Sequence, residues 1–448
     1  MNKKEIKISK EIKTNKKSAR RNYSNQTGIT LIALVVTIVV LLILAGVSLN
    51  AVFGQDGIIQ KAKDAQNKMD QATQNDLDSI NELNNWIDGK TNGATGGDTT
   101  GGDANPSTTS KISTLVGKVV DKNTKAEDAY ENKITIPKGF KILEHNPTSS
   151  TGAVTYNYTN SEETGEHIPA VQDGVVIEDK DGNQFVWVPV GTIKNKDNTT
   201  NTITLGRYSD FTAKNGEYTP AQVASVENCT QEVVISTYYK ELSTFREGNS
   251  ATNSTAQNAT ARDLKTFIET SLTNGGYYIA RFEASKNTTT NKIESQYNKT
   301  VLTSITQPTA AELAREMYGE VKENNELVYA SDLINSYAWD TAIIFIQTYS
   351  TETDASSYAS KNKSTSFANT GRNNDKYCNI WDMSGNAFEW TTEYSTYSIG
   401  SSFYICVYRG GYYDTDRGRT YYYPSNRFNF NTINSSRNFG LRSLLYVK

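Results

Sequence analysis

Residues 29–53 contain no charged side chain and are almost wholly apolar. A run of about 25 such residues is long enough to cross a bilayer as one helix. Ahead of it stand Lys3, Lys4, Lys7, Lys10, Lys13, Lys16, Lys17, Arg20 and Arg21, against only Glu5 and Glu11. That excess of cations predicts a leader held in the cytoplasm and a remainder placed on the far side of the membrane. Ala45, Gly46 and Ser48 offer small residues for a signal-peptide cut, but the apolar run is long for an ordinary secretory signal. An uncleaved anchor is the simpler alternative.

The sequence beyond the run keeps a helical rhythm. Ile58, Ala62, Ala65, Met69, Ala72, Ile80, Leu83 and Ile87 recur at steps of three and four, with a gap at Asp76. This is the spacing of one apolar stripe, and it suits either a solvated stalk or packing against sister subunits. Residues 89–110 are mostly Gly, Thr, Ser, Asp and Asn with a single Pro106, which predicts a flexible tether. The expected organisation is a leader (1–28), an apolar helix and stalk (29–88), a linker (89–110) and one large domain (111–448), long enough to bury a substantial core.

Composition excludes several functions. With 46 Lys and Arg against 49 Asp and Glu, the net charge is −3, and no nucleic-acid surface is expected. The three cysteines, Cys229, Cys378 and Cys406, have no metal-knuckle spacing. Buried thiols are expected, although one disulfide pair stays open. His145 and His167 are the only histidines, too few for a triad or a zinc centre. No metal site and no cofactor is expected on these grounds.

Residues 111–448 read as an irregular α+β domain with few strands, two or three helices and long Asn/Thr/Ser-rich loops. Strands are expected at 133–136, 174–177, 184–189, 233–238, 276–282 and 404–409. A helix is expected at 309–318, capped by Thr309 with Glu312 three residues on. Others are expected at 331–349 and 261–272.

Several segments carry resemblances. Gly28-Ile29-Thr30-Leu31-Ile32-Ala33 resembles the processing site of type IV prepilins, in which a prepilin peptidase cuts after the glycine. The resemblance implies cleavage between Gly28 and Ile29, a methylated Ile29, a pilin-like helix and a bacterial cell-surface location. Ala33 stands where that family has a glutamate linked to filament assembly. In the domain, residues 382–391 (Asp-Met-Ser-Gly-Asn-Ala-Phe-Glu-Trp-Thr), 408–413 (Tyr-Arg-Gly-Gly-Tyr-Tyr) and 437–442 (Arg-Asn-Phe-Gly-Leu-Arg) are similar, in order, to signatures of the formylglycine-generating, sulfatase-modifying-factor family. Residues 185–191 and 276–283 fit its first strands, and the similarity spans roughly 134–447. It implies a C-type-lectin-like fold, a small twisted sheet with two helices and ordered loops. Trp381, Phe388 and Trp390 then read as core, and Asn386 as a bridge between backbone groups. Glu389 reads as a carboxylate buried against Arg409 or Arg442. Some relatives bind calcium near the Gly-Asn element, which would make Glu389 a candidate structural calcium ligand. The oxidases of the family use paired cysteines soon after the Arg-Gly-Gly element; residues 412–418 contain none. A non-enzymatic role is therefore expected.

The C-terminal stretch interleaves Tyr412, Tyr413, Tyr421, Tyr422, Tyr423, Phe428 and Phe430 with Asp414, Asn426, Asn429, Asn431 and other short polar residues. Large rings give contact area at little entropic cost and short polar groups give adaptable hydrogen bonds, as in antibody paratopes. These eleven residues are the expected ligand-binding surface. The stretch also resembles the diversified ends of variable proteins from diversity-generating retroelements. The expected function is a surface-displayed, adhesin-like protein for an extracellular glycan or protein ligand. It would be held in the membrane through residues 29–53, with other pilin-like subunits as further expected partners. A structural minor pilin with a decorative head is the alternative, and a formylglycine-forming oxidase is a third reading.

Overall fold

Gln184–Pro189 and Gly276–Ala280 are almost free of polar side chains and every residue in both is buried, so each must be covered on two faces. In the computed structural model they pair antiparallel, Trp187 opposite Tyr278, at the heart of a seven-stranded sheet. The structure describes residues 109–448 apart from 144–158, 161–166, 212–217, 228–232, 235–237, 243–244, 248–257, 351–365, 373–374, 400–401, 414–422, 432–434 and 436. All of them belong to the unit Ala104–Lys448. The expected leader, apolar helix, stalk and most of the linker, with Gly28 and Ile29, lie outside the described residues. Among the described residues no helix is long and apolar enough to cross a membrane.

The central sheet runs Glu320–Glu323, Glu326–Leu333, Ser443–Val447, Gly276–Ala280, Gln184–Pro189, Val176–Glu178, Lys141–Ile142, with antiparallel neighbours throughout. A second sheet of six strands orders Val233–Val234, Tyr239–Glu241, Phe388–Ser395, Cys406–Arg409 and Phe428–Phe430. Its sixth strand, Phe439–Leu441, lies parallel to Phe388–Trp390. The chain then passes through Arg442 directly into Ser443–Val447 of the central sheet, so one residue joins the two sheets.

Three longer helices pack on this frame. Leu264–Asn274 is capped by the Asp263 side chain and closed by Gly275 in the left-handed conformation (φ 76°). Gln307–Tyr318 is capped by Thr306, whose side chain accepts from the Thr309 amide. Ser336–Tyr349, capped by Asn335, is buried from Ser336 to Gln347.

These elements correct the sequence reading in places. The domain is richer in strands than expected, with two substantial sheets and several two-stranded ladders. The cap of the second helix is Thr306, not Thr309, because Pro308, lacking an amide hydrogen, fits the first turn. The helix expected from residue 331 begins at Ser336, and Ser331–Leu333 end a strand. The single strand expected over 233–238 is observed as Val233–Val234 and Tyr239–Glu241.

Candidate ligand-binding surface

The Gly-Asn, Arg-Gly-Gly and terminal Arg elements meet at the seam between the sheets. Glu389 and Arg409 are cross-strand partners, yet Glu389 pairs with Arg442. Arg442 donates from Nε to Oε2 at 3.0 Å and from Nη2 to Oε1 at 2.6 Å, and gives further hydrogen bonds to the Ala280 and Trp381 carbonyls. Both side chains are fully buried. Burial pushes the Glu389 carboxyl up to about 7, against the pull of Arg442 and with the help of Asp382. Asn386 bridges backbone as expected, accepting from the Ala368 amide at 2.9 Å and donating to the Ala368 carbonyl at 3.3 Å. It also donates to the buried Glu283, which accepts from the Ala387 amide. Glu389 does not fit a calcium site, because both its oxygens are committed to a guanidinium. Among the described residues no group of three or more His, Cys, Asp or Glu could hold a metal ion.

Gly410 follows Arg409 with φ 95°, a conformation other residues resist. It lets the chain turn out of the sheet into Tyr412 and Tyr413. Trp390 and Phe388 are buried core residues, whereas Trp381 is only partly covered.

One face of the second sheet is aromatic. Tyr408 lies opposite Trp390 on one side and Phe428 on the other. Its ring stacks on Phe428 (5.5 Å, 21°) and meets Phe439 at 4.8 Å and Phe430 at 6.5 Å. Phe388 meets Tyr412 at 4.9 Å, and Tyr413 stands edge-on to Phe367 at 4.6 Å. Aromatic pairs in such offset and edge geometries add to the gain from burial alone. The outer members, Tyr408, Tyr412, Tyr413, Phe428 and Phe430, are half-buried: one side packs on the sheet and the other meets solvent.

Beneath the segment lies a buried ionic network. Arg427 pairs with Asp340 and, at 2.7 Å, with Glu393, and donates to the Tyr208 carbonyl at 2.9 Å. Arg409 pairs with Asp340 at 2.6 Å and lies 5.6 Å above the Trp339 ring; Arg207 pairs with Glu393. Burial alone would raise Glu393, but the Arg427, Arg207 and Arg409 guanidiniums outweigh it and hold the carboxyl below its usual range. Glu241, held by Ser336 and Thr392, is pushed up by burial. The turn before the strand is also tied down: Trp339 Nε1 donates to the Pro424 carbonyl (2.7 Å) and Arg409 to that of Ser425 (2.9 Å).

Of the residues expected to bind ligand, Tyr412, Tyr413, Tyr423, Asn426, Phe428, Asn429, Phe430 and Asn431 are all half-buried, on or beside this sheet. Asp414, Tyr421 and Tyr422 lie outside the described residues. Phe428 and Phe430 share the aromatic face with Tyr408, while Asn429 turns the other way and donates to Ser395 Oγ at 3.2 Å. Sequence reading missed Tyr408, Phe439 and Phe367 as members of the layer, and Arg427 as its anchor. The strict alternation from Phe428 to Phe430 was the available signal for a strand with one aromatic face. Cys378 and Cys406 are free thiols. Burial pushes both up, so neither carries the lowered pKa of a reactive thiolate. Cys229 lies outside the described residues.

The strand that follows the Gly-Asn loop and the terminal Arg are thus joined by one buried ion pair, Glu389–Arg442, and the Arg-Gly-Gly turn leaves the neighbouring strand. The chain belongs to the family of the sulfatase-modifying factor enzyme 1-like domain, whose model matches residues 172–446. The match starts later than the expected residue 134, and the strand Lys133–Ile136 belongs to a separate three-stranded sheet. No curated protein matches the chain significantly. Among solved structures, CarF is 13% identical over 39% of this chain and 87% of its own, with a TM-score of 0.26. Variable protein 1 of Treponema denticola is 12% identical over 60% and 96%, with a TM-score of 0.24. The I1 variant of a major tropism determinant is 13% identical over 76% and 99%, with a TM-score of 0.23. All three are distant likenesses.

Proposed function

We propose that this protein is a ligand-binding protein of the bacterial cell surface, held in the membrane by residues 29–53. It meets an extracellular glycan or protein through the aromatic and amide side chains of residues 412–431. The carrying observation is the anchoring of that segment. Arg427, Arg409 and Trp339 fix its backbone from below, while Tyr423, Asn426, Phe428, Phe430 and Asn431 remain partly open to solvent. A fixed backbone under rigid rings lowers the entropic cost of binding. The reading is non-enzymatic, supported by the absence of cysteine from residues 412–418 and by the raised thiols of Cys378 and Cys406.

The test is a glycan and protein array probed with the full chain in lipid nanodiscs. The expected result is a ligand that Phe428→Ala weakens at least tenfold; a ligand indifferent to that change, or none, defeats the reading. Processing by a prepilin peptidase is part of the proposal, and mass spectrometry of the cellular protein should find a methylated Ile29 at the N-terminus. Retroelement diversification is likewise proposed. It requires a near-identical DNA repeat near the gene that differs at adenines.

A further inference from the structure

Glu283 is the buried acid from which the Gly-Asn loop hangs. Its own backbone is fixed on both sides: the Phe282 amide donates to Ser295 Oγ (3.3 Å) and the Ala284 amide to the Leu441 carbonyl (3.0 Å). Its carboxyl accepts from the Ala387 amide (2.8 Å) and from the Asn386 side chain. Asn386 in turn holds both backbone groups of Ala368, and its carbonyl accepts from the Tyr413 amide (3.0 Å). Ala368 adjoins Phe367, whose ring stands against Tyr413. One acid therefore ties together the segment 366–371, the loop 382–387 and Tyr413.

The loop is a strained span between two pinned points. The Trp381 amide donates to the Arg281 carbonyl (2.9 Å) and the Phe388 amide to the Asn438 carbonyl (2.8 Å). Between them Asp382, Gly385 and Asn386 have φ of 59°, 95° and 59°. Left-handed backbone of this kind persists only where its surroundings hold it. The charges around Glu283 oppose its ionisation. Asp382 on the loop and Glu389 on the strand that follows are buried with it. Arg442 acts on all three acids, yet both oxygens of Glu389 already take its hydrogens. Arg281, two residues before Glu283, donates to the Asn379 carbonyl (3.1 Å) and to Gln184 Oε1 (2.8 Å). Arg409 pairs with Asp340, and Arg372 is exposed beside Tyr297. Burial, Asp382 and Glu389 together outweigh Arg442 and raise the Glu283 carboxyl well above its usual range. The closed loop thus keeps a proton that a hydrated carboxyl would lose.

We propose that Glu283 is a proton-operated latch on this loop: while it is protonated the loop stays closed, and loss of the proton sets it against Asp382 and Glu389 and frees residues 382–387 with Ala368 and Tyr413. Only the loop side moves, because the Glu283 backbone is fixed. The direction follows from linkage. The closed form binds the extra proton, so rising pH favours the open form, in which water reaches the carboxyls. The inference stands whatever Tyr413 and its neighbours bind.

Hydrogen exchange of the full chain in nanodiscs tests this from about pH 5.5 to about pH 8.5, after correction for the intrinsic pH dependence of exchange. The Ala368, Ala387 and Tyr413 amides should lose protection about tenfold over that range, and low urea should change them little, because a local opening exposes little surface. The Trp187 amide, bonded to the Val175 carbonyl in the central sheet, should stay better protected at every pH and respond steeply to urea. In Glu283→Gln, which mimics the protonated acid, the loop amides should lose less than about threefold. Asp382→Asn keeps an acceptor for the Gly371 amide and removes the opposing charge, so it should delay the loss to higher pH. Protection that is flat with pH in the wild type refutes the latch. So does a full tenfold loss in Glu283→Gln, or loop amides that match Trp187 in protection and urea response and hence open only with the whole domain. Should Glu283→Gln fail to fold, Asp382→Asn decides: a loss at unchanged pH overturns the proposal.

Discussion

Arg442 grips Glu389 through both carboxylate oxygens at the residue where the chain leaves one sheet for the other. The pair is fully buried, and two further guanidinium hydrogens go to the Ala280 and Trp381 carbonyls. Removing one partner strands a buried charge, which is costlier than replacing both by apolar groups.

Arg442→Met should therefore destabilise the domain by about 3–5 kcal/mol. The double variant Glu389→Leu/Arg442→Met should lose clearly less than the sum of the two single changes. Urea denaturation of the four proteins gives the coupling energy. Additive losses would show that the two side chains do not depend on each other.

Glu389 also predicts how stability varies with pH. Its folded value, about 7, lies above the unfolded carboxyl's roughly 4.3. Between those values the folded state binds more protons than the unfolded, so this group's contribution is full below the lower value and lost as pH rises through 7. Glu283, raised well above its usual value by burial, Asp382 and Glu389, acts in the same direction. Glu393 acts in the opposite sense: lowered by three guanidiniums, it gives stability that is lost as pH falls below the ordinary carboxyl range. Thermal melts should show a maximum in mildly acid solution and a decline toward pH 8. Glu389→Gln should flatten the decline, and an unchanged slope would remove Glu389 from the account.

How much of this was visible in the sequence depends on how local the cause is. Gln184–Pro189 and Gly276–Ala280 could be read directly, because strands buried on both faces are continuous apolar runs. The start of the Ser336–Tyr349 helix could not. Leu333 and Ile334 fit its apolar stripe by spacing, yet Leu333 ends a strand whose register places it opposite Ser443. The aromatic stretch was recognisable by composition as rings interleaved with short polar groups, and the strand Phe428–Phe430 within it sets Phe428 and Phe430 on one face of a sheet. Its anchor was not, since Arg427 finds Glu393 at 34 and Asp340 at 87 positions' separation. Only the fold brings such partners together.

Arg427→Ala should cost about 3–5 kcal/mol, since Asp340 and Glu393 each lose a charge partner inside the protein. Arg427→Lys should recover part of this, because an ammonium keeps the charge but cannot reproduce the guanidinium fork. Hydrogen exchange is the sharper measurement. The Asn426 amide, bonded to the Tyr423 carbonyl, should exchange faster in Arg427→Ala than in wild type, while the Tyr278 amide in the central sheet keeps its protection under native conditions. Equal loss at both places would mean global destabilisation, not release of the segment around Arg427.

The thiols give a test of the non-enzymatic reading that needs no ligand. Cys406 is fully buried, and Cys378 lines a small cleft with Asp173, Tyr349 and Lys376; burial raises both thiols. A thiol kept protonated reacts slowly, because the thiolate is the nucleophile. Both cysteines should resist maleimide at pH 7.5 in the native protein and react promptly in denaturant, as peptide mapping can follow site by site. Cys406→Ser should destabilise by about 1–3 kcal/mol, since the shorter hydroxyl is buried where the thiol stands 4.0 Å from its one acceptor, Gln307 Oε1, and should leave the proposed binding by residues 412–431 intact. Fast native labelling of either cysteine would reveal an activated thiolate and reopen the case for oxidase chemistry.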